Sequence, residues 1–592
     1  MIRRRRVIRA VESITRDESP KNSGNQTANR SPDSIETGET EDSFSSLGTG
    51  DQPRRFDVNG LHDISKQTSI LVEFLSQDFA EADISDYQPT FVDDYASITR
   101  ILGREFGRGF PEDVYHYRDA PFVERSYEGI PRSITAIEKL VLEQHGSFML
   151  PSPSITDAFI TAFFDRVFPT MPIMDRATFT KNFYGMRGST RKPSLLLIQS
   201  VMLAGSTVYD HPDVQLMADE VSSRLHARAK ALIDTKFEQD RLVLVQAHLL
   251  ISSFTADSCD DTIHNMWLSL GAAVRIAQGI GMHRDLGRAK ASAAMRRQWK
   301  RLWWTLFIHD TICSFEWGRP RAIQLADTDV PLPTEADFSP DEPGGLPLTE
   351  HVQFFLALCK LCFIIVDWLE LLRPGRMSWG HGSSSPYADQ ALTVSIALET
   401  WLAELPAVMQ PPRELQGFSL WTGTLHILYH SVILRFYASL SGPSAAEHVH
   451  NAAVKILGIG KDLSSQGLLG SLWGFGIHQF DLAMGQHARE TKSDDRETSA
   501  NALSSLRQGI PLMQLLCQRS STAAQGLAFY EALLEKQGDA ESQVRGTDIG
   551  EMELSSDWPR LSSQANSTWY NHVGGSDLAD LNFLDWNAPW AR

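Results

Sequence analysis

The sequence predicts an all-α protein, a large multi-helix domain with disordered polar residues before it and an acidic tail after it. Apolar residues recur at spacings of three and four through most of the chain, and the recurrences stop at glycine or proline. Period-two alternation bounded by hairpin turns is scarce, which leaves little for a sheet.

Residues 1–60 hold few large apolar side chains, and their ten basic and ten acidic groups cancel. Such a segment buries too little surface to offset its ordering entropy, so it is expected to stay disordered. Residues 61–149 alternate short apolar stretches, Ile70 to Phe74 and Ile134 to Leu142, with glycine and proline breaks, and are expected to form a partly ordered linker. Residues 150–538 are expected to form the helical domain. Ile155, Phe159, Phe163 and Val167 lie four apart and Pro169 ends the run, which predicts an amphipathic helix. Trp267, Leu270, Val274, Ala277 and Ile280 predict a second, closed by Gly281, and Ala294 to Trp317 predicts a third, ended by Gly318 and Pro320. Further helical patterns cover about 349–372, 387–404, 418–440, 444–465, 499–518 and 521–537. Residues 539–592 carry nine acidic and three basic groups among several aromatic rings.

Composition narrows the function. A formal net charge of -18 argues against coating nucleic acid by bulk electrostatics, so any DNA contact must be local. No apolar run is expected to span a membrane, since Phe354 to Leu372 is interrupted by Lys360, Asp367 and Glu370. Five cysteines in apolar or helical contexts do not make a disulfide framework. Neither a G-x-S-x-G elbow nor a G-x-G-x-x-G or G-x4-G-K-[ST] loop occurs, so no enzyme reading gains support.

The most informative stretch runs from Ala272 to Pro333. It reads A-A-V-R-I-A-Q-G-I-G-M-H-R-D, then R-R-Q-W-K-R-L-W-W-T-L-F-I-H-D, then G-R-P-R-A-I and D-T-D-V-P-L-P. These blocks, in this order, resemble the fungal-specific transcription factor domain, the middle homology region of the fungal binuclear zinc-cluster regulators. Ala162 to Phe179 is similar to that family's opening helix and turn, although Phe168 stands where histidine is common; Arg228 to Leu250 and Leu425 to Tyr437 resemble later elements. The version with D-R-L-V-L-V-Q resembles regulators of the cutinase and fatty-acid-utilisation type.

Physical chemistry accounts for most of these residues as structure. Trp299, Leu302, Trp303, Leu306 and Asp310 share one helix face, and Trp304 follows. Arg296, Arg297, Lys300 and Arg301 spread around the first turns and read as a solvated or ion-paired face rather than a phosphate grip. Gly318, Arg319 and Pro320 read as a helix stop and turn, and His283, beside Arg284 and Asp285, as a cap just beyond a helix end; Asp329 and Pro331, in the D-T-D-V-P-L-P block, count with the motif's structural residues. His426 and His430 lie four apart, but no glutamate completes an H-E-x-x-H pattern, and Cys359 and Cys362 have no second ligand pair nearby. No catalytic or metal-ligating residue is assigned.

The resemblance implies a six-cysteine zinc cluster near the N-terminus, yet the first 258 residues contain no cysteine. Without thiolates that module has neither metal nor fold. Two histories fit: a gene model that starts after a missing exon, or a chain that acts through a partner factor. What remains is Arg3, Arg4, Arg5, Arg6 and Arg9, a nuclear-import patch or phosphate contact. This chain alone is therefore expected to bind DNA weakly and with strong salt dependence. The expected role is a nuclear, pathway-specific regulator, an activator of metabolic or secondary-metabolite genes, with promoter DNA and the transcription machinery as partners. A small-molecule effector and a homodimer are further expectations, and no membrane is. Zinc is expected only if the missing cluster is restored. Leu581, Phe583, Leu584 and Trp586, kept solvated by acidic neighbours, form the candidate activation segment. The rival reading is a helical metabolite-binding or scaffold protein that does not touch DNA.

Overall fold

The helices start where side chains can satisfy free N–H groups. The computed structural model describes residues 134–186, 192–209, 218–252, 254, 266–288, 291–338, 349–372, 385–412, 417–440, 442–472, 474–517 and 521–544, with the backbone of three strands outside them. All described residues lie in one unit, Glu73–Arg592. In order, the helices are α1 (Ala136–Gln144), α2 (Pro153–Ala162), α3 (Arg176–Phe183), α4 (Leu195–Ser206), α5 (Ala218–Asp234), α6 (Arg241–Ser252), α7 (Met266–Gly279) and α8 (Ala293–Trp317). They continue as α9 (Thr349–Leu371), α10 (Ser385–Ala403), α11 (Leu420–Ala438), α12 (Pro443–Ser465), α13 (Gly474–Glu490), α14 (Arg496–Leu516) and α15 (Ser521–Val544). Thr135 and Glu138 close a capping box on α1, and Asp175, Ser292, Ser419 and Asp495 accept from the third N–H of α3, α8, α11 and α14.

The fold is all-α. Strands β1 (Gln88–Thr90) and β2 (Tyr115–Tyr117) pair antiparallel, as do β3 (Met149–Leu150) and β4 (Ala588–Pro589). Arg3 to Arg6, Arg9 and the activation candidates Leu581, Phe583, Leu584 and Trp586 lie outside the described residues.

The helices pack mainly on sequence neighbours: α4 touches α2, α5 and α6, the chain then runs α6–α7–α8–α9, and α9 meets α10 and α11. From α11 a second series, α12 to α15, continues in the same way. Two buried apolar clusters result, one spanning Leu142 to Phe436 and one Ile427 to Tyr530. Helix α11 serves both: Leu425 and Phe436 face the first, Ile427 and Leu434 the second.

Several elements differ from the sequence expectation. The helix expected over Ile155 to Val167 stops at Ala162 and continues as a π turn, Phe163–Val167, with Phe168 N–H donating to the Phe163 carbonyl at 2.8 Å. The wider turn brings Phe163, Phe164 and Phe168 into ring contact at 5.0–6.3 Å between centroids. The stretch Arg228 to Leu250 is two helices, the end of α5 and most of α6, broken where Lys236 takes a φ of 53°. Helix α9 is long and apolar enough to cross a membrane, contrary to the expectation for Phe354 to Leu372. Its charged residues are too few to disqualify it, and burial of Phe354, Phe355, Leu358, Leu361, Cys362 and Ile365 accounts for it as a core helix. Helix α4 is buried on every side, and a Cβ at Gly205 would sit 2.0 Å from the Phe159 carbonyl oxygen, so glycine lets α2 and α4 touch backbone to backbone.

Candidate functional site

Helix α8 is the hub around which the motif residues gather. Its first turns are accessible, but from Arg301 to Phe315 every residue is buried. Helices α7 and α9 and the short turn Glu335–Phe338 pack around that length, and Trp299, Trp303 and Trp304 are all buried, as the core reading of this face expects. Trp303 packs against His283 (ring centroids 6.0 Å), and Trp304 against Phe307 and Phe363 at 5.3 and 5.6 Å. The indole of Trp304 donates to the Pro331 carbonyl at 2.9 Å and so holds the loop after α8 against the helix.

That loop is clamped to the end of α7 by the charged residues of the motif. Asp329 accepts the Asp285 N–H at 2.7 Å and pairs with Arg284 at 3.2 Å, while Thr328 Oγ1 donates to the His283 carbonyl at 2.7 Å. The carbonyls at the end of α7 are met by main-chain N–H groups of Ile280, Gly281 and Met282, with Gly281 at a φ of 81°. The His283 ring therefore stands against Trp303, and the capping expected of it is supplied by the backbone.

Asp310 organises the exit from α8. Gly318 ends the helix with a φ of 64°, and the turn after it brings Ala322 N–H and Ile323 N–H to the Asp310 carboxylate at 3.0 and 2.8 Å. Burial raises the Asp310 pKa, against these two bonds and the charge of Arg321, which lower it. Arg319 stacks over Trp267 at 5.4 Å, and the Trp267 indole donates to the Pro320 carbonyl at 3.3 Å. Arg301, lowered to about 10 by burial, donates to the carbonyls of Pro172 and Asp337 at 3.0 and 2.6 Å. Lys300 pairs with the Asp337 carboxylate at 2.9 Å. Two members of the basic cluster are thus engaged inside the fold.

Two clefts flank this framework. One of about 340 Å³ is bordered by Arg284, Arg296, Arg297 and Lys300 with Trp299 and Pro331. The other, about 370 Å³, lies between the loop at Leu332, the outer side of α9 and the end of α10; Phe363, Trp401 and Leu405 make it apolar, and Lys360, Gln353 and Glu404 add polar groups. Cys359 reaches its edge, and burial pushes its thiol up to about 12, so it is not a thiolate nucleophile.

Buried imidazoles give the domain a pH dependence. His309 on α8 is fully enclosed; burial lowers its pKa to about 4, although its Nδ1 lies 2.8 Å from the Thr305 carbonyl. His430 is lowered to about 3 by burial and by His426, whose own Nε2 lies 2.9 Å from the Met409 carbonyl. Because the folded pKa of His309 lies below the unfolded value near 6.5, the unfolded chain takes up a proton that the folded chain refuses. Stability therefore falls as pH drops from about 6.5 towards 4. Between pH 7 and 5, wild type should lose on the order of 2 kcal/mol more than His309→Gln, read by denaturant titration at each pH. Equal pH slopes in the two proteins would remove His309 from the account.

A further cluster, His450, His487 and Glu490, is one that no sequence pattern singles out. These three converge where α12 meets α13, with ligand atoms within 4.8 Å of one another. The H-x-x-E spacing of His487 and Glu490 is visible in the chain, but their helix carries three glycines, and His450 is far away in sequence.

Residues 160–403 match the fungal specific transcription factor domain. Among known proteins, the chain is 32% identical to cutinase transcription factor 1 alpha of Fusarium vanettenii over 346 residues, 56% of this chain and 36% of that protein. It is 30% identical to the acetamidase regulatory protein of Aspergillus fumigatus over 402 residues, 66% of this chain and 49% of that one. Transcription factor cpaR of Aspergillus oryzae is 29% identical over 221 residues, 36% of this chain and 35% of its own length. The chain spans between about a third and a half of these relatives. No solved structure matches it.

Proposed function

From the fungal specific transcription factor domain that spans residues 160–403, we propose that this chain is a pathway-specific transcription regulator acting in the nucleus. The domain match carries the reading. The names of the relatives, regulators of cutinase and acetamidase, favour control of a catabolic or other metabolic gene set. Both the family and these relatives are regulators of transcription and not enzymes.

In this reading the helical body is the regulatory part. The α9–α10 cleft suits a small effector with an apolar body, which Phe363, Trp401 and Leu405 would cover, and a polar end within reach of Lys360. Promoter DNA is reached directly or through a partner factor, and the arginines at 3–6 and 9 serve nuclear import or contact phosphates. The transcription machinery docks on Leu581, Phe583, Leu584 and Trp586.

The test is the tagged full chain in its host. Nuclear accumulation and occupancy of a defined promoter set, with expression of those genes changing on deletion, is the expected result. A purely cytoplasmic chain with no promoter occupancy would overturn the reading in favour of a metabolite-binding or scaffold protein. Residues 539–592 fused to an unrelated DNA-binding domain should raise reporter output several-fold, and should lose it when Phe583 and Trp586 become alanine. A fusion without output ends the activation role of the tail.

A further inference from the structure

Beyond the span matched by the family, α12 and α13 bring together three groups with metal-ligand chemistry. His450 is on the second turn of α12; His487 and Glu490 lie three residues apart on the last turn of α13 and so share a face. His450 Nδ1 is 2.9 Å and His487 Nδ1 3.0 Å from the same oxygen, Glu490 Oε2. The other carboxylate oxygen, Oε1, accepts from Gln486 Nε2 at 2.8 Å. The carboxylate is therefore already turned so that one oxygen is held by an amide and the other faces two imidazoles.

We propose that His450, His487 and Glu490 form a binding site for a divalent transition-metal ion of the zinc class, which clips α12 to α13. The ligand atoms are His450 Nδ1, His487 Nδ1 and Glu490 Oε2. Two imidazoles and a single carboxylate oxygen are a donor set that zinc takes, with water in the fourth position. The water enters beside His450, whose side chain is 35% exposed, while that of His487 is 0% exposed.

The two imidazole nitrogens, which lie within 4.8 Å of each other, must close on the ion, and the carboxylate contacts must loosen slightly. At zinc–ligand distances of about 2.0–2.1 Å, tetrahedral ligand atoms sit about 3.3 Å apart, so the hydrogen-bonded atoms must part by only a few tenths of an ångström. The carboxylate is also well placed, since His487, His450 and Gln486 already hold both of its oxygens. Metal binding at Nδ1 requires the ring proton of each imidazole on Nε2, which leaves the Nδ1 lone pair for the ion. His487 Nε2 has no hydrogen-bond partner among the described residues, so its new N–H is unpaired there, a cost of about 1–3 kcal/mol that the metal–nitrogen bond must exceed. Gln486 acts as the outer-sphere partner that orients the carboxylate.

The simpler alternative is a carboxylate bridging two imidazole N–H groups with no ion, and the experiment separates the two. The full 592-residue chain is stripped with chelator and titrated with Zn²⁺, with bound metal measured by mass spectrometry and the fold followed by circular dichroism. About one zinc per chain, a higher thermal midpoint on loading, and a visible absorption band of tetrahedral type with Co²⁺ are the expected results. His450→Gln, at the accessible edge, should keep the helical spectrum and lose the zinc and the Co²⁺ band. Gln486→Ala should weaken binding about 10–100-fold. Should wild type bind no more zinc than His450→Gln, the bridged carboxylate is the whole story and the metal site is refuted.

Discussion

Trp303→Ala should destabilise the domain by about 3–5 kcal/mol, the cost of removing a large aromatic side chain from a packed core. Trp303 is 1% exposed and sits in the fully buried part of α8, where the neighbouring helices leave no route for collapse into the gap. The phenylalanine variants separate packing from hydrogen bonding. The Trp303 indole N–H has no partner among the described residues, so Trp303→Phe keeps most of the burial, loses no bond and should cost less than about 1.5 kcal/mol. Trp304→Phe removes the bond to the Pro331 carbonyl and leaves that acceptor unmet, which adds about 1–3 kcal/mol. Thermal or denaturant unfolding of the two variants checks the order. If Trp303→Phe is the worse of the pair, the loop clamp through Trp304 is unimportant.

Asp310→Ala should cost about 2–6 kcal/mol, at about 1–3 kcal/mol for each N–H group left without its acceptor, through a different mechanism. The side chain is buried and its carboxylate accepts the N–H groups of Ala322 and Ile323. Its loss leaves two donors unpaired, one of them on the fully buried Ile323, and opens a gap beneath the turn that follows Gly318. Asp310→Asn keeps one acceptor oxygen and should recover part of the loss. Denaturant titrations of both variants, with amide exchange at Ala322 and Ile323 as a local readout, decide this. An unchanged exchange rate at those two amides in Asp310→Ala would show that the turn holds itself without the carboxylate.

Much of the helical framework is legible in the sequence. The helices α8, α9, α10, α11, α12 and α14 begin and end within about three residues of the expected spans, because each has an apolar period of helical spacing and a cap or breaker at its ends. Arg301 and Lys300 read from the sequence as part of an ion-paired surface, whereas Arg301 lies inside, on main-chain carbonyls from the segment before α3. Nothing local to α8 indicates that. Helix α13 lies outside the expected spans: Gly474, Gly476 and Gly485 weaken its propensity, although Ile477, Phe480, Met484 and Ala488 recur at helical spacing. Its burial against α12 and α14 makes it a helix, and only with that helix in place do His487 and Glu490 share a face.

The sequence by itself determined the class of the fold and the likeness of its central residues to the fungal specific transcription factor domain, since both are written in short-range order: the spacing of apolar residues, the residues that stop a helix, and motif blocks that are contiguous in the chain. Tertiary structure alone decided which residues meet. The clamp of Asp329 on Arg284 and Asp285 joins residues more than forty positions apart, and the cradle of Asp310 exists only because the chain turns back after Gly318. His450 and Glu490 belong to different helices, and their 2.9 Å separation follows from how the second core packs. Helix periodicity says which face is buried but not against what, because apolar contact is non-directional; the partner is set by the summed packing of all the helices at once.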